Sequence, residues 1–281
     1  MLIKLICKHI IYMKKALVIV LVLSINLIFS QDYFKGKNLY CESSNPEAAK
    51  LFKTGIETLY LNSSLDPKYL KMTSDVFMKA FQADTTFCDA MFFAGYTRRL
   101  YNDKYALVCY YVADSLAGNR SIEFKTNLAA EALRVGNEQS LKIARKKYNE
   151  IIEYFPDSPE GYYGFAITSP NFGDTDKGLE NIEIAIKKYT DDGVKIKNDI
   201  YFIKGILLTL NKLYGEGLIF FEKSYSDFKK DDSFNAHYSL CLLKVAESSN
   251  DARMKIKAKK IYDKIEHKDM IPEEVKDLLV F

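Results

Sequence analysis

Apolar residues recur at spacings of three and four from about residue 45 to the C-terminus, and short polar segments separate the runs. That period puts one apolar face on each of a succession of helices. No segment alternates strictly for long enough to make a strand. The runs predict helix pairs at about 46–62 with 67–82, 87–101 with 104–116, 122–136 with 139–154, 159–168 with 175–189, 197–212 with 215–229, and 232–248 with 251–266. Residues 31–44 read as an extended leader, and residues 267–281 as a terminal segment whose short helix, 272–279, caps the open end of the array.

The helices repeat one another. Ala144, Tyr148 and Ile151 place a small residue, an aromatic four positions on and an apolar residue three further, with Pro156 five beyond. The same spacing returns at Ala106, Tyr110 and Ala113, at Gly178, Ile182 and Ala185, at Gly217, Phe221 and Ser224, and at Ala258, Tyr262 and Ile265. A weaker first copy is Thr73, Phe77 and Ala80. The small positions stand 33, 38, 34, 39 and 41 residues apart. Upstream of several copies a large residue precedes a small one by four: Met91 and Gly95, Tyr162 and Ala166, Tyr201 and Gly205. Turn dipeptides separate the two signatures, Asn102-Asp103, Gly136-Asn137 and Gly173-Asp174. Each unit is thus a helix–turn–helix in which a small residue admits close approach and a proline such as Pro156 stops the second helix. A single pair cannot bury both of its faces, so the pairs must stack.

This pattern resembles the tetratricopeptide repeat (TPR) family over roughly residues 45–266, most strongly from 144 to 189, where two copies follow in a register of 34. No tryptophan stands at the first aromatic position, and three repeats are enlarged. The resemblance implies an all-α, right-handed α-solenoid of about six antiparallel helix pairs, a superhelix whose concave groove is lined by the first helix of each pair. Carried over to this chain, it implies groove positions at Asp89, Phe92, Tyr96 and Arg99, at Glu160 and Tyr163, and at Phe202. Phe92, Tyr96, Tyr163 and Phe202 would then form an aromatic surface suited to an extended or helical peptide. A shift of register by one residue turns the same rings into packing between repeats. The lysine and asparagine with which family members capture acidic C-termini are missing at these places, so that ligand is not expected.

One loop departs from the pattern. Pro170 cannot donate a helical hydrogen bond and pushes Ser169 towards extended geometry, so the helix from 159 is expected to stop near 168. Phe172 then sits either buried in an ordinary turn, the expected arrangement, or presented to a partner.

Residues 1–30 carry Lys4, Lys8, Lys14 and Lys15, no acid, and the one long apolar run, 16–29, interrupted by Ser24 and Asn26. A basic segment before about 14 apolar residues reads as a secretory signal, too short for the roughly 20 that cross a bilayer. Cleavage is expected after Ser30, Met13 is an alternative start, and an uncleaved anchor is the alternative fate. The chain is therefore expected to be exported, to the periplasm or beyond in a bacterial cell envelope, with no integral span in its mature form.

Setting those four lysines aside leaves 36 basic residues against 37 acidic ones. Without a basic excess, nucleic acid is not the expected partner. The basic stretch 253–264 reads as the solvated face of a late helix. Export makes a disulfide stable. Connectivity among Cys41, Cys88, Cys109 and Cys241 is not readable from sequence; Cys88, Cys109 and Cys241 lie inside amphipathic runs and read as small buried hydrophobes, and the pair to test for a disulfide is Cys41 with Cys88.

Chemistry is scarce. His237 and His267 have no metal-ligand spacing, the glycines form no phosphate cradle, and no Gly-x-Ser-x-Gly elbow occurs. No catalytic, metal or cofactor residue is assigned. The expectation is a non-enzymatic scaffold that binds a protein or peptide of the envelope. The alternative is an envelope-associated enzyme or carbohydrate-handling accessory in which the repeats position a second component.

Overall fold

A computed structural model describes residues 40–61 and 66–281. The signal segment 1–30 and leader residues 31–39 lie outside the described residues.

Among those residues there are 13 α-helices and no strand. Six pairs follow in order: α1 (Pro46–Leu61) with α2 (Pro67–Ala83), α3 (Cys88–Leu100) with α4 (Ala106–Ala117), α5 (Ile122–Val135) with α6 (Glu138–Tyr154), α7 (Pro159–Phe172) with α8 (Thr175–Asp191), α9 (Asn198–Leu210) with α10 (Tyr214–Phe228), and α11 (Asp232–Ser249) with α12 (Ala252–Tyr262). A 3-10 turn, Lys268–Met270, and a short helix α13 (Glu273–Lys276) complete the chain. In α13 the Val275 side chain is buried and the helix packs on α11.

The chain divides into two compact units, one of residues 40–135 and 142–155, the other of 136–141 and 156–281. In the first, each helix from α1 to α5 packs on the next in sequence. In the second, the same nearest-neighbour order holds from α7 to α12, and α9 also touches α7 and α11. Contacts that reach only the next helix and the one after it are the mark of a helical repeat and not of a bundle closed around one core.

The repeat signature fills the space between helices. Ala106, Ala144, Gly178, Gly217 and Ala258 are all buried, as are Tyr110, Tyr148, Ile182 and Phe221 four positions on. Tyr262 alone of the aromatic places is half-buried.

Local chemistry sets the turns. Asn102, Gly136, Gly173, Lys212 and Asn250 adopt left-handed backbone between the first and second helix of five successive pairs, with φ of 60°, 67°, 70°, 61° and 53°. Glycine and asparagine enter that region at least cost, which is why the turn dipeptides are legible in sequence. The following polar residue then caps the second helix: Asp103 accepts from the Tyr105 N–H, Asn137 from Ser140, and Asp251 from Arg253 and Met254. Such caps are worth about 1 kcal/mol each.

Helix α7 does not stop at Ser169. It runs through Pro170 to Phe172 and ends at Gly173, which is left-handed. Pro170 removes the helical donor to the Ala166 carbonyl alone, and Thr168 and Ser169 donate their hydroxyls to the Gly164 and Phe165 carbonyls just before it. Phe172 is 41% exposed, where a buried ring was expected.

Close approach has a measurable consequence at Gly178. A Cβ built there would stand 2.6 Å from Ser169 Cβ and 2.9 Å from Leu207 Cδ2. Ser169 is buried and Leu207 belongs to α9, so neither can withdraw without shifting a helix. Gly178→Ala is expected to destabilise the second unit by about 1–2 kcal/mol, the overpacking cost outweighing the helix-propensity gain of about 1 kcal/mol. Urea denaturation checks it, and a stabilised variant would show that α7 and α8 have room to part.

Candidate interaction site

The seven groove positions fall in separate units, and most of their side chains point into helix contacts. In the first unit Phe92 stacks on Phe124 of α5, ring centroids 4.5 Å apart and planes 14° apart. Arg99, 8% exposed, lies 3.8 Å from the Glu131 carboxylate, also on α5. Asp89 is fully buried and accepts a 2.6 Å hydrogen bond from the Cys41 backbone N–H. Tyr96 is half-buried and packs against the core with its ring on Phe93.

In the second unit Tyr163 is 4% exposed and donates its hydroxyl to Asp199 of α9. Burial first, and then the Asp199 carboxylate, hold the Tyr163 phenol well above its ordinary range. Phe202, 1% exposed, sits against Phe228 and Phe234 at centroid distances of 4.8 and 5.2 Å. Glu160 is half-buried and accepts from Tyr189 of α8 at 2.7 Å. Burial pushes its carboxyl up, against the pull of the Tyr189 hydroxyl and Lys197.

The expected aromatic surface is therefore corrected in placement: Phe92, Tyr163 and Phe202 join neighbouring helix pairs, and Tyr96 and Glu160 are the two positions that keep an accessible edge. Successive helical residues point about 100° apart, so a one-residue shift of register carries a side chain from a groove to the adjoining helix contact.

Three features lie apart from the groove positions, and the first is the cysteine pair that the sequence singles out for testing. First, Cys41 and Cys88 form a disulfide with Cα atoms 5.4 Å apart, tying the leader to the first turn of α3. Second, residues 40–45 lie as a non-helical strap against α5, the start of α3 and the end of α2: Tyr40 donates to Glu123 and meets the edge of Phe124 at 5.1 Å, the Cys41 N–H donates to Asp89, Ser43 donates to Asp84, and Asn45 Nδ2 donates to the Ala83 carbonyl at 2.8 Å. Third, the outward side of α4 and the turn before it carry Tyr105, Val108 and Tyr111, each more than half exposed. A contiguous exposed apolar stripe marks a surface for a partner more often than it marks chance.

The two free cysteines and His237 are buried. Burial pushes the Cys241 thiol up to about 12 and raises Cys109 as well. Burial lowers the basicity of His237, whose neutral ring donates from Nδ1 to the Ser233 carbonyl at 2.8 Å. Cys41, Cys88 and Asp89 are grouped closely enough to hold a metal ion, but the disulfide commits both sulfurs. Among the described residues no helix is long and apolar enough to cross a membrane.

No family model matches the chain, and no curated protein matches it in sequence. Solved structures match in fold. A chain of the APC/C Cut9–Hcn1 hetero-tetramer is similar over 83% of this chain at TM-score 0.56 and 14% identity, and this chain spans 42% of its length. PilF of Pseudomonas aeruginosa is similar over 77% of this chain and 92% of its own, at TM-score 0.53 and 13% identity. MamA is similar over 65% of this chain and 94% of its own, at TM-score 0.51 and 15% identity. These neighbours are TPR proteins, and consecutive helix pairs packed on sequence neighbours give this chain the TPR-like fold.

Proposed function

We propose that the chain is an exported scaffold that binds a partner protein or peptide of the cell envelope and carries out no chemistry of its own. The observation that carries this reading is the combination of a TPR-like stack with an exposed apolar stripe at Tyr105, Val108 and Tyr111. Polar groups that might have signalled catalysis are instead absorbed into helix contacts, as at Arg99 and Glu131 or Tyr163 and Asp199. The Cys41–Cys88 disulfide supports export, because such a bond persists in an oxidising compartment. Near charge balance favours a protein partner over nucleic acid. Tyr96 in the first unit and Glu160 in the second each keep an accessible edge, and each is a separate candidate contact for a partner.

Photo-crosslinking residues placed singly at Tyr96, Val108 and Glu160 in the producing cell test the proposal, with the exposed Ser226 as control. A discrete protein adduct is expected from at least one of the three positions and none from Ser226. Adducts at Val108 alone would assign the contact to α4, and adducts at none of the three would sink the scaffold reading. Mass spectrometry of the mature N-terminus tests export, and retention of Lys14 would overturn cleavage.

A further inference from the structure

The strap of residues 40–45 occupies a place that has the chemistry of a peptide site. Beneath it lie Asp89, fully buried and accepting the Cys41 N–H, Glu123, accepting the Tyr40 hydroxyl, and the Phe124 ring, on which Tyr40 rests edge-on. Two carboxylates flanking an aromatic face ask for a backbone N–H, a hydroxyl and a ring in succession. Lifting the strap would take the Cys41 N–H from the buried Asp89 and uncover the face of Phe124 on which Tyr40 rests, so the bare surface favours rebinding of a segment with the same donors.

We infer that this α3–α5 surface is a binding site for an extended peptide carrying a tyrosine before a free backbone N–H, filled in cis by the chain's own residues 40–45 and latched shut by the Cys41–Cys88 disulfide. The inference rests on the reading of the chain as a peptide-binding scaffold. The latch opens by thiol exchange with a dithiol. Cys41 is half-buried while Cys88 is fully buried, so a dithiol's thiolate attacks the more accessible Cys41 sulfur, and the Cys88 sulfur leaves at the first turn of α3 and takes up a proton beside the Asp89 carboxylate. The dithiol's second sulfur then attacks the mixed disulfide and releases Cys41. Two electrons and two protons pass from the dithiol to the two cysteines, and the dithiol becomes a disulfide.

Hydrogen exchange on the full chain, oxidised and after treatment with dithiothreitol, tests the latch. Reduction is expected to speed exchange of the amides of residues 41–45 at least tenfold while α3 and α5 stay protected. A labelled peptide of residues 38–45 carrying Cys41→Ser is expected to bind the reduced chain and not the oxidised one. Unchanged strap protection, loss of α3 protection together with the strap, or equal peptide binding to both forms would each overturn the inference. Tyr40→Ala gives an independent reading: in its reduced form it must bind the peptide severalfold more tightly than the reduced wild-type chain, because its own strap competes less well, and equal binding also overturns the inference. Crosslinks at Val108 or Glu160 without any redox effect would remove the latch and leave the scaffold reading standing.

Discussion

Replacing Phe234 with alanine is expected to destabilise the second unit by about 3–5 kcal/mol, the range for truncating a fully buried ring. Phe234 is 0% exposed at the start of α11 and touches rings from two other helices: Phe202 of α9 at 5.2 Å, and Phe221 and Phe228 of α10 at 5.2 and 6.0 Å. Its ring meets Phe221 edge to face at 90°, an arrangement that adds about 0.5–1.5 kcal/mol beyond burial. The cavity cannot close easily, because Gly205 already lets Phe221 approach to 3.0 Å from where a Cβ would stand. The variant therefore loosens the junction of the fifth and sixth pairs and not merely one helix. Phe234→Leu is expected to cost about 1.5 kcal/mol or less, since most of the volume stays. Urea melts followed by circular dichroism separate the two, and equal costs would show that the junction collapses freely around the site.

Much of the architecture was legible because repetition is redundant. The small-aromatic-apolar spacing recurs in five copies, and each copy marks where one helix closes on another, as the burial of Ala106, Tyr110 and Ala113 or of Gly217, Phe221 and Ser224 illustrates. The turns were legible for a separate reason: asparagine and glycine report a left-handed backbone directly. Lys212 occupies the same conformation without that signal, and no dipeptide announces its turn. Pro170 misled because proline removes one helical hydrogen bond without barring helical φ at its own position, and α7 runs two residues past it to the left-handed Gly173. The groove was the least legible feature. Phe92 and Phe93 are both aromatic and both buried, one stacked on α5 and the other on Phe77 of α2, so composition alone does not say which edge of a helix faces a ligand. Of the strap, the Cys41–Cys88 tether was the part the sequence pointed to, while its contacts with Asp89 and Glu123 span 48 and 83 residues and left no local pattern.

Lys125→Met is expected to cost the first unit about 3–5 kcal/mol by leaving a buried charge uncompensated. Lys125 of α5 is 2% exposed, with Nζ 3.2 Å from Asp114 of α4 and 2.8 Å from Glu150 of α6. Lys147 closes the ring, 2.7 Å from Asp114 and 2.8 Å from Glu150. Two carboxylates and two ammonium groups thus alternate where three helices meet, and removing one ammonium leaves both acids sharing Lys147. The double variant Lys125→Met with Asp114→Leu keeps one balanced pair, Lys147 with Glu150, and is expected to cost less than Lys125→Met alone. Additive costs would show that water already screens the ring. The pH dependence follows from the same geometry. Burial alone would raise the Glu150 carboxyl, but the hydrogen bonds and charges of Lys125 and Lys147 outweigh it and hold the group below its usual range. A lowered carboxylate gives stability that is present above the unfolded pKa and lost as pH falls through the folded one, below about pH 4. Burial alone would lower Lys147, but Asp114 and Glu150 outweigh it and hold the ammonium above its usual range, so its share is present at neutral pH and lost only as pH rises past about 10.4. Wild-type protein should lose stability at both ends of that window, and Lys125→Met should flatten the acid limb. An acid limb equally steep in both would place the titrating carboxylates elsewhere in the unit.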